Sequence, residues 1–188
     1  MFYLFGIHGK ARSGKDTVVK YLTDNYGFIR NAFADPLKRA AQQMFMLTDA
    51  QTWDENLKEE VIPYWGMSPR EIFQKIGTEG GREVFGDDVW LKRWYFHYNQ
   101  FKDLTHYAVP DVRFPNEADY IRSLGGNMWH VLRDGAGLSN ERAAHASEAG
   151  LVPDAKDIII RNNGTLEDLY AQVDEVMQTR FHLLSVGG

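Results

Sequence analysis

No cysteine occurs in the 188-residue chain, which excludes a disulfide framework, a thiolate metal site and a cysteine nucleophile. Long hydrophobic runs are missing too. No stretch approaches the roughly 20 apolar residues needed to span a bilayer, and the N-terminal "MFYLFGIHG" lacks the basic flank and the length of a signal peptide. These absences set the expectation of a cytoplasmic protein without a membrane partner. Positive charge is in deficit, with Lys+Arg 21 against Asp+Glu 26 and a net charge of −5, so a nucleic acid polymer is not the expected partner and any anion site must be built locally. The remaining composition, 44% hydrophobic and 25% charged without low-complexity tracts, is that of an ordinary globular protein. The length suits one core with inserted substructures rather than two full domains.

What is present begins with "GKARSGKDT", Gly9 to Thr17. A phosphate-binding loop needs glycine, four residues, glycine, lysine, then serine or threonine. Gly9, Gly14 and Lys15 meet the first requirements, and Asp16 stands where the hydroxyl residue is expected. Such glycines let successive N–H groups point at one phosphate, the following helix adds positive potential, and the lysine reaches the β and γ oxygens. The competing reading is a plain glycine turn with a surface lysine. The apolar run Phe2 to Ile7 before the motif reads as a buried strand, and Val18, Val19, Leu22 and Tyr26 after it recur at helical spacing, which favours the phosphate loop. A carboxylate beside a triphosphate is repulsive unless a cation lies between them, so Asp16 either holds magnesium, with Thr17 donating to a phosphate oxygen, or occupies a helix's first turn, where negative charge is favourable.

Further along, "FADPLKRAAQQMF" reads as a helix with Asp35 as its N-cap and Pro36 at its first position, and "SPREIFQKIGTEGGREVFG" opens with a capping box from Ser68 to Glu71. Residues Thr48 to Gly66 show no clear period. Short strands are expected before Asp111, over "NMWHVLR" and over "DIII", and a final helix is capped by Thr165 and Asp168 with Leu166, Leu169, Tyr170, Val173 and Val176 as its buried stripe. Strands alternating with helices predict an α/β fold with a parallel central sheet covered on both faces.

Six segments occur together and in order: "GKARSGKDT", "FADPLK", "PREIFQKIGTEGGRE", "VPDVRFPNEAD", "HASEAGL" and "IIIRNNGTLEDL". Together they resemble the phage-type deoxynucleoside monophosphate kinases of the P-loop nucleoside monophosphate kinase group, along nearly the whole chain. The resemblance implies a three-layer P-loop NTPase fold over 1–188 with an acceptor-binding helical insertion over about 34–100 and a lid over about 134–150. It implies ATP as donor, a deoxynucleoside monophosphate (dNMP) as acceptor, magnesium as cofactor, and a place in DNA precursor synthesis. An alternative is a P-loop kinase of another small acceptor such as dephospho-coenzyme A; a further one is a non-catalytic nucleotide-binding module.

Phosphoryl transfer demands charge neutralisation and positioning more than covalent chemistry, so cations converging on the loop are the signature to seek. Lys15, Asp16, Arg133 and Arg142 form the expected catalytic set, and Gly9, Arg12, Ser13, Gly14, Lys15, Asp16 and Thr17 the expected ATP loop. Asn163 and Gly164 resemble the loop that packs on the donor adenine, although Asn-Gly also makes a plain tight turn. At helical spacing, Arg70, Gln74, Gly77 and Gly81 share one face, readable as a phosphate ligand, a base-reading amide and bare backbone, or as a solvated surface. Lys38 with Arg39, Thr78 and Arg82 complete the acceptor candidates; Trp90 either stacks on the acceptor base or fills a core. Asp111 at a strand end is a second candidate for magnesium, through water, and joins Arg113 among the acceptor candidates, with Arg113 and Asn116 expected to face the cleft, unless Arg113 merely braces Glu117 or Asp111. His145 and Glu148 read better as a lid-anchoring pair than as a base or metal site. The aromatics between Trp90 and Tyr107 suit either a homodimer interface or a core.

Overall fold

The computed structural model describes residues 2–137 and 150–185 and divides into two compact units, Met1–Ala32 with Gln100–Gly188, and Phe33–Asn99. In the first unit, β1 (Leu4–His8), β2 (Phe28–Arg30), β3 (His106–Val109), β4 (Asn127–Leu132) and β5 (Ile158–Arg161) form one sheet in the order β2-β3-β1-β4-β5, with every pairing parallel. Side chains of a strand alternate between faces. Phe5 and Ile7 enter a core with Val18 and Leu22 of α1 (Lys15–Tyr26) and with Leu169, Val173 and Met177 of the last helix, Leu166–Arg180. Gly6 faces the other way, where an added Cβ would meet Met128 and Ile121, the latter on the helix Pro115–Ser123. Helices therefore cover both faces, which is the expected three-layer α/β arrangement.

The second unit contains α2 (Asp35–Met44), α3 (Asp49–Trp53), α4 (Pro69–Gly77), α5 (Glu83–Phe85) and all but the last two residues of α6 (Val89–Phe101), with a π-helical turn at Thr78–Arg82. Ala41, Leu47, Ile72 and Phe73 make its core. In the first unit, Pro115–Ser123 is α7 and Leu166–Arg180 is α8.

Both capping boxes read from the sequence are present, Ser68 with Glu71 and Thr165 with Asp168. Three details differ. Asp35 is the first residue of α2, and Ala34 occupies the cap without a side-chain bond. Leu166 is exposed; the fully buried residues of α8 are Leu169, Val173 and Met177, with Tyr170 and Val176 half-buried beside them. The unperiodic stretch contains α3, closed by its own Thr48–Gln51 capping box, and a 3₁₀ turn at Leu57–Glu59.

A polar clamp joins α1 to α8. The hydroxyls of Tyr26 and Tyr21 donate to Asp174 at 2.6 and 3.0 Å, and Tyr21 stacks on Tyr170 with centroids 4.0 Å apart. Burial and the carboxylate push both phenols up, Tyr21 to about 12. Asp174→Ala strands the buried Tyr26 hydroxyl, so the unfolding free energy is expected to fall by about 1–3 kcal/mol, read as a lower urea midpoint at an unchanged slope. An unmoved midpoint would refute the clamp.

Candidate functional site: a phosphate loop at the sheet edge

The loop follows the C-terminal end of β1, the strand paired with β3 on one side and β4 on the other. Ligands of open α/β sheets sit at such edges. Arg12 (φ 65°) and Gly14 (φ 99°) adopt left-handed backbone, and the Ser13 N–H closes the turn on the Lys10 carbonyl at 3.1 Å. The first helical bond of α1 runs from Val18 N–H to the Gly14 carbonyl, which leaves the N–H groups of Lys15, Asp16 and Thr17 without partners inside the helix, at its positive end. That is an anion cradle in backbone geometry, against the plain-turn alternative.

The cradle is packed from behind. A Cβ on Gly9 would stand 2.7 Å from the Val131 carbonyl of β4, and one on Gly14 would stand 2.3 Å from Asn162 Nδ2. That amide, buried after β5, donates to the Ser13 carbonyl at 2.8 Å. Asn162 escaped the sequence reading because an asparagine in "RNNG" is indistinguishable from a turn residue without knowing that β5 ends behind the loop. Ser13 is itself buried, its hydroxyl held over Gly9, so its visible contribution is to the shape of the loop.

Lys15 is 15% exposed and its ammonium lies 3.4 Å from the Asp16 carboxylate, which is 69% exposed in the first turn of α1. Asp16 offers an exposed carboxylate beside the cradle, which suits magnesium, an ion that binds through one or two carboxylates with waters and substrate phosphates.

After β3, the Glu117 carboxylate accepts the backbone N–H groups of Arg113 at 2.8 Å and Phe114 at 3.1 Å, fixing the start of α7 and the course of Asp111–Arg113. Glu117 thus braces the Arg113 backbone. After β4, Asn163 grips Asp134 through two bonds, accepting from its N–H and donating to its carboxylate, both at 2.9 Å. The Asn163–Gly164 turn is in this way tied to the chain leaving β4, where Arg133 is exposed. Arg142, His145 and Glu148, with most of the expected lid, lie outside the described residues.

His8, missed in the sequence because it ends an apolar strand, is buried where these segments meet. Its Nδ1 is 2.9 Å from the Val112 carbonyl and its Nε2 accepts the Leu151 N–H at 3.1 Å. His130, its partner in register, sets Nε2 2.9 Å from Asp157, which also receives Arg122 and the Asp154 N–H. His106 Nδ1 accepts the Tyr3 N–H at 2.9 Å. Burial holds all three imidazoles below their ordinary value. With folded values below the unfolded one of about 6.5, the unfolded chain binds more protons in acid, so stability is complete above about pH 6.5 and declines as pH falls beneath it. A lower urea midpoint at pH 5.5 than at pH 7.5 is expected; equal midpoints would contradict the neutral assignment.

The acceptor candidates lie in the second unit. The Arg70 Nε donates to Glu59 of the 3₁₀ turn. Lys38 lies over the rings of Trp53 and Phe73 at 5.2 and 5.9 Å, and Arg39 over Trp53 at 5.8 Å. Arg82 donates to the Asp87 carbonyl, while Gln74 and Thr78 are half-buried. The bare backbone expected at Gly77 and Gly81 is covered: Leu37 packs 3.1 Å from the Cβ position of Gly77, and Trp90 lies 2.6 Å from that of Gly81 while its indole N–H donates to the Gly77 carbonyl at 2.8 Å. The wide π turn at Thr78–Arg82 breaks the α-helical phase on which the shared face was read, and Trp90 packs against Gly81.

Comparison with known proteins identifies the family. A family model described as deoxynucleotide monophosphate kinase matches residues 3–63 and 55–173. The deoxynucleotide monophosphate kinase of Enterobacteria phage T4 is 33% identical, with 93% of this chain and 98% of that protein covered. A protein of Acanthamoeba polyphaga mimivirus whose name places it in the same group is also 33% identical, covering 90% and 93%. Dephospho-CoA kinase from Campylobacter jejuni superposes with a TM-score of 0.51 at 16% identity, over 95% of this chain and 96% of that one, a likeness of fold. The chain belongs to the deoxynucleotide monophosphate kinase family.

Proposed function

We propose that the protein transfers the γ-phosphoryl group of ATP to a dNMP, giving the diphosphate for DNA precursor synthesis. The observation that carries this reading is the phosphate cradle at the end of β1, with Lys15 at its mouth, in a chain of this family. The free N–H groups of Lys15, Asp16 and Thr17 and the Lys15 ammonium bind the donor's phosphate oxygens and meet the charge that develops during transfer. Asp16 and Asp111 would hold magnesium, which would supply neutralisation of the phosphate charge. Lys38, Arg70 and Arg82 bind the acceptor phosphate. Glu59 fixes the Arg70 guanidinium by its Nε and so orients the remaining donors. Gln74 and Thr78 read the acceptor, and Trp90 shapes this surface through the Gly77–Gly81 backbone. Arg133 and Arg142 complete the charge clamp, and Asn163–Gly164 borders the adenine.

Purified protein with ATP, magnesium and each of dAMP, dGMP, dCMP and dTMP, the matching ribonucleotides and dephospho-coenzyme A, followed by chromatography, tests the reading. Diphosphates from deoxy acceptors are the expected products. Turnover of dephospho-coenzyme A alone, or of no acceptor despite ATP binding, would replace it.

A further inference from the structure

The two bonds of His8 fix its chemistry. A backbone N–H can only donate, so the Leu151 amide makes Nε2 the acceptor, and Nδ1 must then carry the proton and donate to the Val112 carbonyl. One neutral tautomer satisfies both. His8 precedes Gly9 directly, Val112 lies between Asp111 and Arg113, and Leu151 stands just past segment 138–149, in which the sequence sets Arg142. The other flank of that segment is tied to the same strand-end, since the Gly137 N–H donates to the Ala11 carbonyl of the phosphate loop at 3.1 Å. The imidazole is 7% exposed and rests edge-on against His130, centroids 5.3 Å apart, so its ring has little freedom to turn.

We propose that His8 is a positioning residue for phosphoryl transfer: its two ring nitrogens join the strand carrying the phosphate loop to the segment carrying Asp111 and Arg113 and to the chain returning at Leu151. It touches neither substrate nor reacting atoms. Its action is to hold in one register three segments whose groups must converge, and small misplacement of such groups is costly to rate. The proposal rests on the kinase reading above for what is positioned, and on the described bonds alone for the junction itself.

Three variants separate the contributions. His8→Leu keeps bulk and removes both bonds, His8→Gln restores a donor and an acceptor within one amide, and His8→Ala reports the cavity. At temperatures where all are folded, His8→Leu is expected to lower kcat by about 10- to 100-fold with KM for ATP and for the dNMP unchanged, and His8→Gln to recover most of the loss. Hydrogen exchange gives a readout that needs no turnover. The Leu151 amide is expected to be protected in the wild type and to exchange about tenfold faster in His8→Leu. Wild-type kcat in His8→Leu, or a deficit that vanishes on correction for folded fraction, would overturn the positioning role. If the wild type phosphorylates no dNMP, the kinase reading fails separately, and an unprotected wild-type Leu151 amide would overturn the junction.

Discussion

Lys15→Met is expected to lower kcat by about 10²- to 10³-fold while the protein stays folded, because in the proposed reaction it deletes the cation that meets charge building up only during transfer. The side chain is mostly covered, and among the described residues its ammonium pairs with the exposed Asp16 carboxylate at 3.4 Å. The aliphatic stem is retained in methionine, so packing at the start of α1 is preserved. The loop amides also remain, so ATP affinity should fall far less than rate. Steady-state kinetics with each substrate varied, beside direct ATP titration, checks this division. A variant retaining wild-type kcat would remove Lys15 from the catalytic set, and one that loses ATP binding in step with rate would make it a ground-state anchor.

Gly14→Ala is the second large effect. At φ 99° an L residue carries strain on the order of 1–3 kcal/mol, and the new methyl would stand 2.3 Å from the Asn162 amide that braces the Ser13 carbonyl. Two costs fall on one bond network. The Asn162 amide is expected to be pushed off and the cradle to open, reducing ATP affinity by about tenfold or more for each 1.4 kcal/mol spent on restoring it. Asn162→Ala separates the contributions: it removes the brace without straining Gly14, and should recover part of the affinity when combined with Gly14→Ala, since the methyl then has room. Additive losses in the double variant would show that the amide and the methyl do not compete.

Features whose causes are local were legible in the sequence. Ser68–Glu71 and Thr165–Asp168 are capping boxes by spacing alone, and Gly9, Gly14 and Lys15 declare the loop by their intervals. The three residues of β2 were not legible, since Phe28, Ile29 and Arg30 are too few to show a period and form a strand only because β3 offers an edge. The face assigned to Gly81 failed for another reason: helical spacing assumes an unbroken α-helix, and the π turn after Gly77 changes the phase. Asn162 and His8 act across 149 and 104 residues of chain, and no local pattern marks such partners. Arg70 was readable as a cation on a polar face; its anchoring by Glu59 was not, because the 3₁₀ turn that delivers Glu59 arises within a stretch without a period.

The position of β1 bears on how the chain reaches this state. Its neighbours begin at His106 and Asn127, so Leu4 waits for Tyr107 and Phe5 for Asn127 before the central strand of the sheet has either edge satisfied. Pairings this distant in sequence close large loops before they are rewarded, which slows folding. During synthesis the apolar "FYLFGI" therefore emerges more than a hundred residues ahead of its partners, and the nascent chain carries an unpaired sticky strand until β3 is made and a strand with one open edge until translation has passed α7. Refolding yield that falls with protein concentration, and rises when a holdase captures the early chain, is the kinetic signature this topology dictates.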